Sequence, residues 1–138
     1  MNPILKNVLA VLAGVLIGGA LNMAIIMVSG HIIPPPEGAD LKTMEGLKAS
    51  MHLMEPKHFL MPFLAHALGT LIGAGITAII VPKHKMVYAL GIAAWFMIGG
   101  IMNIFMLPSP TWFTITDLLG AYFPMGFLGG FIATRLTK

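Results

Sequence analysis

Long apolar runs separated by short polar breaks dominate this chain. Between Lys6 and Glu37 there is no acidic residue, lysine or arginine, and Val8 to Val28 alone matches the roughly 20 apolar residues that a helix needs to cross a bilayer. Three further runs follow it. Together they predict four spanning helices at about residues 7–30, 58–81, 86–107 and 113–134. The breaks between them have local causes. Pro34-Pro35-Pro36 cannot continue a helix, Lys83-His84-Lys85 makes a tight turn, and Pro108 and Pro110 stop the third run. The first run is too long for the apolar core of a signal peptide, about 7 to 15 residues, so it is expected to stay as a spanning helix.

One stretch has a different rhythm. Leu41, Met44, Leu47, Met51 and Met54 recur at three- and four-residue steps, with Lys42, Glu45, Lys48, His52 and Glu55 around the rest of the turn. This predicts an amphipathic surface helix over about residues 40–55, with Asp40 as N-cap and Pro56 as terminator, lying on the membrane or capping the bundle. The expected fold is therefore an all-α integral membrane protein, a four-helix bundle forming one transmembrane domain over residues 1–138.

Composition agrees with this pattern. Apolar residues make up 57% of the chain and charged ones only 9%, with a mean hydropathy of +0.90; soluble domains carry about 25% charged residues. The net charge of +3 comes from eight basic residues against five acidic ones, without a basic patch, so nucleic acid is not an expected partner. There are no cysteines, which excludes disulfides and thiolate chemistry. Lys6, Lys83, Lys85, Arg135 and Lys138 fall at one end, against Lys42, Lys48 and Lys57 in the long first loop. Both termini are thus expected on the cytoplasmic side of a bacterial inner membrane, with loop 31–57 outside.

A short motif occurs twice. Ile17-Gly18-Gly19-Ala20-Leu21-Asn22 returns 81 positions later as Ile98-Gly99-Gly100-Ile101-Met102-Asn103. A weaker echo relates Gly69-Thr70-Leu71-Ile72-Gly73 to Gly126-Phe127-Leu128-Gly129-Gly130. An insertion about as long as the first loop reconciles the two offsets, which predicts two tandem two-helix units whose asparagines face one another. Gly14 and Gly18, Gly69 and Gly73, and Gly126 and Gly130 each stand four apart, a spacing that lets helix backbones approach closely.

Polar residues in the apolar runs are the candidates for chemistry. Asn22, His66, Asn103, Asp117 and Tyr122 all fall in the half of the bundle nearest the long loop. They are read either as interhelical glue or as a polar site in which His66 and Asp117 form a titratable pair. Asp117 has the further reading of a helix N-cap. Met51, His52, Met54, His58 and Met61 hold the thioether and imidazole groups that suit Cu(I), but an apolar stripe built from methionine explains the same letters. A haem between His58 and His66 has nothing in their spacing to single it out. No cofactor is expected. Enzyme signatures such as Gly-x-Ser-x-Gly or His-Glu-x-x-His are absent, so the chain is not expected to be an enzyme.

Two functions remain. The first is a structural or accessory subunit that forms homo-oligomers or joins a larger membrane complex through its glycine seams and surface helix. The second is a small, dimeric transporter or channel that uses Asn22, Asn103 and His66.

Overall fold

The structure, a computed structural model, describes every residue from Met1 to Lys138. Helix α1 (Pro3–Ile32) starts where Asn2 Oδ1 accepts the Ile4 amide hydrogen at 2.9 Å, with Pro3 in the first turn, where its missing N–H costs nothing. Its 30 residues give a rod of about 45 Å. It ends two residues before the proline run, which cannot extend it.

The surface helix is shorter than the sequence pattern predicts and is capped elsewhere. Helix α2 covers Met44–Ser50, and Thr43, not Asp40, is its N-cap: Thr43 Oγ1 accepts from Gly46 N at 2.9 Å. Asp40 instead makes a local turn, its carboxylate accepting from Lys42 N at 3.0 Å, while its own amide donates to Ser50 Oγ at 2.9 Å. Two short 3-10 turns, Met51–Leu53 and Pro56–Phe59, lead into α3 (Leu60–Ile80).

Helix α4 (Lys85–Met106) follows a turn in which His84 adopts the left-handed region at φ 55°. Lys85 reaches back across that turn. Its Nζ donates to the carbonyls of Ala78, Ile79 and Val81 at 2.8, 3.2 and 2.9 Å, covering the carbonyl end that α3 leaves unpaired.

The fourth run is not one helix. It divides into α5 (Thr111–Gly120) and α6 (Phe123–Leu136), with Tyr122 outside helical geometry at φ −111°, ψ −82°. Pro124 explains the break: it has no N–H to return to the Gly120 carbonyl, and its ring crowds that turn. The chain is all-helical, and four segments are long and apolar enough to cross a membrane: Pro3–Ile32, Pro56–Ile80, Lys85–Met106 and Thr111–Leu136.

Helix α3 is the centre of the packing, with α1 on one side and α4 and α6 on others; α6 also lies against α4. The buried core is built from small residues, among them Ala65, Ala74, Ala78, Ala89, Ala93 and Ala133. Such residues let backbones come close, and the glycines carry this furthest. A methyl group added to Gly18 would stand 2.6 Å from the Gly69 carbonyl oxygen, and one on Gly73 would stand 2.7 Å from that of Gly14. Thr77 crosses the same seam, donating to the Ala10 carbonyl at 3.1 Å. Gly126 and Gly130 seat Ala93 and Ala89 of α4. All six glycines singled out in the sequence therefore pack within one chain.

The repeated motif does not pack the same way twice. In the first copy Gly18 is buried and Gly19 has nothing within 4 Å; in the second Gly99 is open and Gly100 is buried. Helices α1 and α4 also touch only slightly. The two copies of the motif thus pack through different glycines, each turning a different side of the motif toward its neighbours.

Candidate functional site

His66 lies in the second turn of α3, and Asp117 lies late in α5, on the face turned toward it. Its Nδ1 is 2.8 Å from Asp117 Oδ1 and 2.9 Å from Oδ2. Tyr122, placed at the α5–α6 break, donates its hydroxyl hydrogen to Asp117 Oδ2 at 3.1 Å and stacks on the imidazole with ring centres 5.9 Å apart. Asp117 is 5% exposed and Tyr122 1%, so the carboxylate has lost its water and depends on these two donors. Gly100 makes room for the Tyr122 hydroxyl, since a side chain there would occupy its place.

This geometry settles the alternatives for Asp117. It is in the body of α5, facing inward, and does not cap a helix; the residue before α5 is Pro110. The consequence for His66 is that Nδ1 is committed to the carboxylate. Nε2, on the far edge of the ring, has no hydrogen-bond partner in the chain and is not sealed off from solvent.

Above this group lies a cavity of about 600 Å³. Asn22, His66, Asn103 and Asp117 give it polar lining, with Ser29, Ser109 and Thr114 also on its wall and Gly100 beside them. Met23 and Ile26 of α1 and Ile104 of α4 line its sides. Its opposite wall comes from the segment between α1 and α3, through Leu41, Met44, Leu47, Met51 and Met54. These are the apolar positions of the predicted amphipathic stripe, which covers the cavity. His58 holds that segment in place: Nδ1 accepts from Glu55 N at 2.9 Å, and Nε2 lies 3.1 Å from the Pro34 carbonyl oxygen. Because Nδ1 is an acceptor, Nε2 is the donor to Pro34.

The structure joins His66, Asp117 and Tyr122 directly, and places Asn22 and Asn103 on the same cavity without any side-chain hydrogen bond of their own. Asn22 is half-buried beside Gly69, and Asn103 is exposed. The methionine and histidine cluster is brought together only in part. Met51, Met54, His58 and Met61 line the cavity and His52 does not. Both His58 nitrogens are engaged with backbone groups in this fold, to Glu55 N and the Pro34 carbonyl. No three His, Cys, Asp or Glu side chains are grouped so as to share a metal ion.

Two contributors escaped the sequence reading. Gly100 is visible only as part of a repeat, and the cavity wall only as a helix on the membrane or over the bundle, with no cavity beneath it; Pro124 is the available signal for the break that positions Tyr122. Comparison with protein-family models, with curated proteins and with solved structures returns no match to this chain.

Proposed function

We propose that this chain is a small integral membrane protein, its termini cytoplasmic and its 33–59 segment outside, that binds a small molecule between its helices as the first step of transport. The observation that carries this reading is the cavity: about 600 Å³, within the range typical of small-molecule sites, mainly apolar, and lined as well by a histidine, an aspartate and two free amides. Buried ionisable groups in an apolar bundle are costly and generally mark a site. Four crossings enclose little pathway, so passage across the bilayer would use paired copies.

Flux and binding measured in proteoliposomes with Asn22→Leu, Asn103→Leu and His66→Leu test the proposal. Loss of binding and flux with folding intact supports it. A protein that takes up no compound from a broad panel of apolar and polar solutes, with protons included, refutes it.

A second reading, an accessory subunit, draws on one observation. Gly91 and Gly99 of α4 have nothing within 4 Å, and Trp95 between them is exposed, so this face is free to meet another helix. A stoichiometric partner retained in mild detergent and lost with Gly99→Leu favours that reading.

A further inference from the structure

We infer that the outer wall of the cavity holds a site for a soft monovalent cation, Cu(I), bound by the thioether sulfurs of Met51, Met54 and Met61 with Met44 beside them. Five of the chain's 12 methionines line this one cavity: these four and Met23 of α1. An apolar wall needs no sulfur, since Leu41 and Leu47 of the same segment supply apolar surface without it. What the methionines add is a set of soft, polarizable donors. The site uses neither His66 nor Asp117, and it holds whether or not a small molecule occupies the space between the helices.

Local backbone geometry holds the donors. Met51 opens a 3-10 turn and Met54 closes it, the Met54 amide donating to the Met51 carbonyl at 3.1 Å. Met61 follows in the first turn of α3. The turn is fastened on both sides. Before it, Ser50 Oγ accepts from Asp40 N at 2.9 Å; after it, His58 accepts from Glu55 N and donates to the Pro34 carbonyl. The backbone that carries the sulfurs is thus fixed before any ion arrives, so binding orders only side chains.

The choice of ion follows from the donors within reach. The chain has no cysteine, so the thiolates that suit zinc and iron–sulfur clusters are missing, and thioethers by themselves suit Cu(I). No three His, Cys, Asp or Glu side chains are grouped to hold a harder divalent ion. No lysine or arginine lines the cavity, so no fixed positive charge there repels a cation. A thioether has no proton to lose on binding. Copper–sulfur bonds replace the ion's earlier ligands, and neither an electron nor a proton is transferred.

The test is a titration of the full-length protein in nanodiscs with Cu(I), kept anaerobic, against a colorimetric Cu(I) chelator at about pH 5 and about pH 8. Stoichiometric binding is expected, with a sulfur shell in the copper X-ray absorption spectrum. The affinity should be the same at both pH values, because acid weakens only sites whose ligands take up protons. The Met51→Leu/Met54→Leu variant conserves volume and so keeps the fold. It should bind Cu(I) about tenfold more weakly or worse, since losing even an outer neighbour of a metal ligand costs that much. Met27→Leu/Met102→Leu, which alters two exposed methionines off the cavity, should bind as the parent does. Four results each overturn the assignment: no Cu(I) retained against the chelator, equal affinity in the two double variants, a metal shell without sulfur, or an affinity that falls at the acid pH. The proteoliposome solute panel tests the space between the helices separately, so either proposal can fail without the other.

Discussion

Replacing Gly18 with alanine tests the central seam most directly. The new methyl would lie 2.6 Å from the Gly69 carbonyl oxygen, 3.0 Å from the Phe96 ring and 3.1 Å from Gly73 Cα. Ordinary contact begins near 3.4 Å, so α1 and α3 must part by about 0.8 Å at this level. Two of these three obstacles are backbone atoms and the third is the edge of an aromatic ring. Overpacking of this kind costs about 1–3 kcal/mol. Parting the helices also stretches the Thr77 to Ala10 hydrogen bond, now 3.1 Å, a bond contributing about 0.6–1.7 kcal/mol in a helix bundle. The expected loss is about 2–4 kcal/mol, the two effects taken together. It is read as a shift in reversible SDS-induced unfolding in mixed micelles. Gly19→Ala is the control, because a methyl there meets nothing within 4 Å; it should be neutral or slightly stabilising, by up to about 1 kcal/mol from helix propensity. A Gly18→Ala protein as stable as Gly19→Ala refutes the reasoning.

Asp117→Ala should destabilise the protein by about 3–5 kcal/mol in the same assay, since it strands the buried His66 nitrogen and the Tyr122 hydroxyl together; Tyr122→Phe, which removes one donor, should cost only about 1 kcal/mol. Gly100→Ala should disturb the site without touching it, by displacing the Tyr122 hydroxyl, and is expected to weaken ligand binding more than Gly99→Ala does. Lys85→Met should cost about 1 kcal/mol by exposing the α3 carbonyl end, with ligand affinity unchanged. His58→Ala should free the segment over the cavity, seen as faster hydrogen exchange at the Glu55 amide and faster proteolysis between residues 34 and 58.

The extent of the four apolar segments was legible because length and apolarity alone specify it, and the ends were legible because prolines 34–36 and 108 have purely local effects. The His66–Asp117 pairing followed from depth: two ionisable groups at a similar level of an apolar bundle have few other partners. What the letters could not convey was azimuth. Ile-Gly-Gly-x-x-Asn is the same string in α1 and α4, yet Gly18 is buried and Gly99 is open, because which side of a helix meets its neighbour is decided by contacts distant in sequence. The stripe at 41–54 is legible in its spacing, but what it covers depends on where α3 and α4 lie. Pro124 is a local signal, and it carries the break that turns Tyr122 toward Asp117.

That break has a mechanical consequence. A continuous rod of this length would act as a stiff lever, so any tilt at Trp112 would swing Arg135 at the far end. Interrupted at Ala121 and Tyr122, the span has a joint at the level of the cavity floor. Helix α5 is clasped to α3 through Asp117 and His66, while α6 is anchored separately by Gly126, Gly129 and Gly130. The two pieces are therefore held by separate contacts, so a change at one set is not passed rigidly along the span to the other.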